Sequence, residues 1–238
     1  METISEHSTL AEIVNLRPGS ARVLESYELD YCCHGQRPLS EACEASGTDP
    51  GAVLESVRSA HDVSGGPGDR AWLDMQAGPL AAHIESTHHR YLHEEMPRLD
   101  ALAEKVASVH GERHPELRTL LETYRELTAD LQPHLVKEER VLFPMIQQLQ
   151  DSQGSGTTPE FHCGSLQNPI SVMLAEHDTA GELLARMRQL SAGYEVPADA
   201  CASYTALYEG LSELEADTHL HIHKENNVLF PMVLRMEL

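Results

Sequence analysis

Basic side chains are scarce in this chain: 17 Lys and Arg stand against 38 Asp and Glu over 238 residues, a formal charge of −21. Nucleic-acid binding calls for clustered Lys and Arg, so that class is excluded. No apolar run reaches the roughly 18 residues that a membrane-spanning helix needs, so no membrane span is expected. The opening Met1-Glu2-Thr3-Ile4-Ser5-Glu6-His7 has neither the basic nor the apolar stretch of a secretory signal. Cysteine is sparse and odd in number, five scattered residues that cannot make a disulfide framework. Together these absences make the cytoplasm the expected compartment. What is present is a 41% apolar fraction, enough for a real core, and fifteen histidines in an otherwise acidic chain. His, Asp and Glu are the vocabulary of transition-metal sites.

Strand-like alternation is nearly missing, and the chain reads as helix after helix. Short segments are predicted near 8–15, 20–29, 38–46 and 50–61, punctuated by Pro18-Gly19, by Gly35 to Pro38 and by Gly47 to Pro50, where Asp49 can cap a helix starting at Pro50. Residues 1–65 thus form a small all-helical domain. Ser64-Gly65-Gly66-Pro67-Gly68 is the clearest linker, and the segment 66–71 separates that domain from the remainder. Over 72–238 the apolar spacing predicts four longer helices, at 78–109 with a kink or break at Pro97, at 115–150, at 168–192 and at 198–236. A seventeen-residue Ser/Gly/Thr/Pro-rich loop, Asp151 to Gln167, lies between the second and third. Four long amphipathic helices with mostly short connections indicate an all-α antiparallel four-helix bundle.

The chain also repeats itself. Residues 134–145 and 221–232 share His134/His221, Lys137/Lys224, Glu138/Glu225 and the run Val-Leu-Phe-Pro-Met. Ordinary composition would match roughly one position in twelve, whereas eight of these twelve are identical. The offset is 87 residues from Glu138 to Glu225, and at nearly the same offset His89 corresponds to His177. Each half therefore supplies one His from its first helix and His-x-x-x-Glu from its second. Residues four apart on a helix share a face, so His134 with Glu138, and His221 with Glu225, can bind one metal or two adjacent ones. Four imidazoles and two carboxylates around an approximate two-fold axis suit a dinuclear site of iron or manganese. Of the neighbours His88 and His89 only one can face inward, and the repeat selects His89. His93 is at most an extra ligand, because its repeat position is Gly181. The remaining His83, His110, His114, His162, His219 and His223 read as solvated or loop residues, and the Leu-Phe-Pro-Met tails as packing.

With these residues in view, the sequence resembles the di-iron iron–sulfur cluster repair family (the RIC family, YtfE/ScdA-like proteins), whose bundle is hemerythrin-like. The N-terminal Tyr27-Glu-Leu-Asp30-Tyr31-Cys32-Cys33 followed by Gly35 is similar to the family's paired-cysteine signature. His88-His89 before Glu94-Glu95-Met96-Pro97, His134-x-x-x-Glu138-Glu139, Ser171-Val172-Met173-x-x-Glu176-His177-Asp178 and His221-x-x-x-Glu225-Asn226-Asn227 match in the bundle. The resemblance implies metal ligands at His89, His134, Glu138, His177, His221 and Glu225, holding two iron ions in an oxo-bridged di-iron centre. Two departures stand out. Oxygen-carrying hemerythrins place a second histidine one turn after that of their third ligand helix, where this chain has Gly181, and His34 stands between the cysteine pair and Gly35.

Adjacent Cys32 and Cys33 make an ordinary structural disulfide unfavourable, and a thiol pair able to touch a partner's iron, sulfur or nitrosyl group is the functional alternative to two plain thiols. His34 could tune one of them. Cys43, Cys163 and Cys201 read as small side chains, with Cys163 near enough in the long loop to reach the site. The resemblance implies repair of clusters damaged by nitrosative or oxidative stress, with damaged iron–sulfur proteins as clients; acidic residues one turn from the ligands, such as Asp130 and Glu176, could serve as stepping stones for departing iron. A di-iron oxidoreductase that reduces nitric oxide, or reacts with dioxygen, is the alternative, and a gas-binding sensor a third. A homodimer is compatible with any of these.

Overall fold

The computed structural model describes residues 4–59, 71–153 and 159–237. Eight helices form among them, and no β-strand. Four are short: α1 (Leu10–Leu16), α2 (Ser20–Ser26), α3 (Leu39–Ser46) and α4 (Pro50–Ser59). Local chemistry explains their starts. Thr9 and Glu12 cap α1 reciprocally, the Thr9 hydroxyl accepting from Glu12 N at 3.1 Å and the Glu12 carboxylate from Thr9 N at 2.8 Å. Asp49 caps α4 as predicted, accepting from the N–H groups of Gly51 and Ala52. The predicted linker lies outside the described residues except for Ala71, which opens a 3-10 turn, Ala71–Asp74.

The four long helices are α5 (77–110), α6 (116–152), α7 (Gln167–Leu190) and α8 (202–236). Successive helices pack against one another and α8 closes onto α5, giving the predicted four-helix bundle. Pro97 does not break α5: the segment Arg90–His110 continues through it. The irregularities lie elsewhere. One π-helical turn interrupts α5 at Glu85–His89, one interrupts α6 at Glu138–Leu142 and one interrupts α8 at Glu225–Leu229. The last two have a cause in the sequence. Pro144 and Pro231 lack the N–H that would bond the carbonyl four residues back, and the ring crowds that carbonyl. A wider turn relieves the clash, so the Leu-Phe-Pro-Met tails set helix geometry as well as packing. The turn in α5 forms without a nearby proline.

Two apolar clusters fill the interior. One holds Trp72, Leu80, Ile84, Phe143, Ile170 and Phe230 at one end of the bundle. The other runs from Leu92, Leu135, Ala180 and Ile222 through the bundle and into the N-terminal helices, where it includes Leu10, Ile13, Leu24, Leu39 and Val53. The small N-terminal unit and the bundle thus share one continuous core. Among the described residues no helix is long and apolar enough to cross a membrane.

The loop that carries the cysteines is pinned onto α8. Asn227 Nδ2 donates to Cys32 O at 2.9 Å and to Tyr31 O at 3.3 Å, and Gln36 Nε2 donates to Asn227 Oδ1 at 3.0 Å. His223, expected in solvent, is fully buried here, its Nε2 donating to Asn15 Oδ1 at 2.9 Å. Burial pushes its pKa down to about 4, so it joins the two units as a neutral ring. His110 is also buried rather than solvated, beside Cys201, and His114 bridges Glu116 and Asp199. At Gly35 a Cβ would collide with the Tyr31 carbonyl and stand 2.7 Å from Asn227 Oδ1. Gly35→Ala should therefore loosen this junction and lower stability by about 1–3 kcal/mol, read as a lower denaturant midpoint; an unchanged midpoint would show that the junction carries no strain.

Candidate metal centre

Between the two apolar clusters lies one polar layer. His89 comes from α5, His134 and Glu138 from α6, His177 from α7, and His221 and Glu225 from α8. All six are 0–2% exposed and converge on one another. They form two groups that share both carboxylates: His89, His221, Glu138 and Glu225 in one, His134, His177, Glu138 and Glu225 in the other, with ligand atoms within 4.8 Å of one another in each. Each group takes one imidazole from either half of the repeat, as two-fold related hairpins require. Glu138 Oε2 lies 3.3 Å from His134 Nε2 and 3.5 Å from His89 Nε2. Glu225 lies 3.1 Å from His221 Nε2 through Oε1 and 3.2 Å from His177 Nε2 through Oε2.

These groups fit a pair of cations and are poorly matched to each other. Neither Glu138 oxygen receives a hydrogen bond, nor does Glu225 Oε2, although both side chains are fully buried. Imidazole nitrogens face each other instead, His89 Nε2 to His221 Nε2 at 3.2 Å and His134 Nε2 to His177 Nε2 at 3.1 Å. Buried carboxylates without donors are unfavourable unless a cation lies between them. The outer hydrogen bonds prepare the inner nitrogens. Glu176 Oε2 accepts from His134 Nδ1 at 2.8 Å and Glu139 Oε1 from His89 Nδ1 at 3.1 Å. Asn226 donates Nδ2 to Cys32 O, which turns its Oδ1 to accept from His177 Nδ1 at 2.7 Å. With the proton on Nδ1, the Nε2 lone pair points into the pocket, as metal ligation requires.

The structure places the other residues apart from this layer. His93 bonds Glu139 and does not reach the pocket, and Glu176 is held by His134 and Lys137. Asp130 is exposed. Cys163 packs against the cluster around Trp72 and is not among the converging ligands. His88, the neighbour not chosen, is buried but faces Asp217 and Lys224. Glu139 and Asn226, which orient two of the ligands, occupy equivalent repeat positions, one residue after each shared Glu. The repeat register could have singled them out.

The cysteine pair lies against α7. Cys33 Sγ is 3.6 Å from the carbonyl of His177, and a Cβ at Gly181 would stand 3.7 Å from that sulfur. Cys32 Sγ is 3.8 Å from Cys33 Sγ, so both are free thiols. Asp30 organises them: Oδ1 accepts from the N–H of Cys32 and Cys33 and from Cys32 Sγ at 3.2 Å, while Oδ2 bonds His34 Nδ1 at 2.6 Å. His34 thus meets the thiol loop only through Asp30. The bond to Cys33, burial and the Asp30 charge hold the Cys32 thiol well above its ordinary pKa. The pair borders a cleft of about 860 Å³ between the N-terminal helices and α7, edged by Asp178, Glu182 and Glu215.

A four-helix bundle with such a layer defines a class, and the comparisons agree. Residues 80–233 match the hemerythrin HHE cation binding domain, and residues 6–61 match ScdA_N, a domain of unknown function (DUF542). The iron–sulfur cluster repair protein YtfE of Enterobacter sp. (strain 638) is 36% identical, covering 96% of this chain and 97% of its own. A probable iron–sulfur cluster repair protein of Haemophilus influenzae is 33% identical over 94% of this chain and 96% of its own. YtfE of Yersinia pseudotuberculosis is 36% identical over 92% and 93%. This chain belongs to the iron–sulfur cluster repair family.

Burial alone would lower the pKa of His134, but the charges of Glu138 and Glu225 lift it to about 9, and Glu138 raises His89 against the same opposing burial. At neutral pH the metal-free pocket therefore holds protons that an entering cation must displace. Apparent affinity for Fe²⁺ or Mn²⁺ should rise between pH 7 and 8 by about tenfold per displaced proton. Titration against a competing chelator measures this, and a flat profile would contradict it.

Proposed function

We propose that the chain repairs iron–sulfur clusters damaged by nitrosative or oxidative stress, by releasing iron from a two-iron centre to a client protein. His89, His134, Glu138, His177, His221 and Glu225 are the ligands in this reading. Imidazole and carboxylate donors in this ratio suit iron, and two bound irons would supply Lewis acidity and one-electron redox chemistry. The names of the relatives support the reading, but the observation that carries it is the junction at His177. There Cys33 Sγ lies 3.6 Å from the backbone carbonyl of a ligand residue. A client cluster entering the cleft would meet thiols and acidic side chains beside the stored iron. Only two anionic ligands hold that iron, so it is a cargo that can leave. The overall charge of −21 favours a local supply of cations, and the cytoplasm is the compartment in which such clients and free thiols coexist.

The test is direct. Protein loaded with ⁵⁷Fe is mixed with a purified iron–sulfur enzyme whose cluster was damaged by nitric oxide or peroxide. Activity should return with label in the client, and Glu138→Leu should restore less than about a tenth as much. Equal restoration by that variant would sink the proposal.

One observation favours a second reading, reduction of nitric oxide to nitrous oxide. Two thiols 3.8 Å apart beside the pocket are placed to supply the two electrons that coupling two nitric oxide molecules consumes. Under a thiol reductant, turnover should fall at least tenfold in the Cys32→Ser/Cys33→Ser double variant; stoichiometric binding without turnover excludes this reading.

A further inference from the structure

The repeat allows the surroundings of the two ligand groups to be compared position by position. Around His134 and His177 both outward nitrogens are held, by Glu176 at 2.8 Å and by Asn226 at 2.7 Å. Around His89 and His221 only one is. Glu139 accepts from His89 Nδ1 at 3.1 Å and shares the same oxygen with His93. His221 Nδ1 is buried and has no hydrogen-bond partner among the described residues.

The register shows where the fourth acceptor went. Glu176 directly precedes His177, and the residue preceding His89 is His88. The position that offers a carboxylate to His134 therefore offers an imidazole to His221. That imidazole lies flat on His221, with ring centroids 5.6 Å apart and planes 6° from parallel, so neither of its nitrogens addresses His221 Nδ1. Its own nitrogens are engaged elsewhere, Nδ1 with Asp217 Oδ1 at 2.9 Å and Nε2 with Lys224 Nζ at 2.8 Å. Asp217 and Lys224 are the counterparts of Asp130 and Lys137. Lys137 pairs with Glu176, whereas buried Lys224 meets His88, His83 at 3.2 Å and the face of Trp72. Two hydrogen bonds thus keep His88 stacked.

We infer that the two cation positions are unequal and that the one between His89 and His221 gives up its ion first, with His88 as the positioning residue that sets the difference. This rests on the metal-centre reading above and deepens it. A ligating imidazole whose second nitrogen donates to a carboxylate is fixed in orientation and more basic, and losing such a partner typically lowers metal affinity by about 10–100-fold. Sequential release also has a physical use: the ion that stays keeps both shared carboxylates neutralised, so the core never holds two bare charges. The protein then delivers one ion per encounter.

The full chain is loaded anaerobically with two equivalents of ⁵⁷Fe²⁺, and release to excess chelator is followed by absorbance. Crystals soaked in the same chelator locate the remaining ion by anomalous scattering. Release should occur in two phases of equal amplitude, at least about tenfold apart in rate, with the retained ion between His134 and His177. His88→Glu returns a carboxylate to the deficient position and should slow the fast phase. Glu176→Gln, which alters the opposite group, should bring the slow phase toward the fast one and decides the matter if His88→Glu fails to fold. Binding of fewer than two ions per chain would overturn the metal-centre reading and this inference with it. Two ions bound but released in a single phase, or a retained ion between His89 and His221, would overturn the inference alone.

Discussion

Two carboxylates, Glu138 and Glu225, face one another at 0% exposure between two apolar layers, and neither Glu138 oxygen finds a donor. That arrangement governs much of the molecule. Like charges in a low-dielectric interior repel and lose hydration, so the layer is stable only with positive charge between them. The four imidazoles all turn Nε2 inward, and on three of them the outward Nδ1 is held by an acceptor. The π turns belong to this constraint too. Glu138 and Glu225 each open one, and His89 closes the third. A π turn places an extra residue in the helix where function needs a side chain re-aimed, at the expense of local regularity.

The N-terminal unit packs against the bundle beside the candidate centre. Its core is continuous with that of the bundle, and its cysteine loop is held by consecutive residues of α8, Asn226 and Asn227. Asn226 touches both sides at once, accepting from a ligand imidazole and donating to the Cys32 carbonyl. A single amide therefore sets the tautomer of His177 and anchors the thiol loop. Gly35 leaves out a side chain where the loop and the bundle approach closely.

Duplication produced the layer, and divergence around it made the halves differ. The six converging side chains are matched across the repeat, but their supports are not: Glu139 corresponds to Asn226, and Glu176 to His88. Identity is retained at the six converging side chains. It relaxes one shell further out, where a carboxylate, an amide or a stacked ring can each hold an imidazole with different firmness.

Much of this was legible before folding was considered. Helical spacing, the near absence of strand alternation and the short connections specified the bundle, and the 87-residue repeat selected the six side chains that the structure brings together. Asp49 as a cap could be read because capping is local. Pro97 leaves its helix unbroken because the penalty of one proline in a long helix is outweighed by the packing of the face it interrupts. His110 and His223 misled for a related reason: a polar ring is classed by its type until the fold shows which carbonyl, thiol or amide meets it. Residue identity and periodicity act within a helix turn, so the sequence by itself determined the helices, their apolar faces and the ligand pairs four residues apart. Which imidazole meets which across the layer, the burial of Lys224, the stacking of His88 and the docking of Cys33 against Gly181 depend on helices distant in the chain. Only tertiary packing decided those.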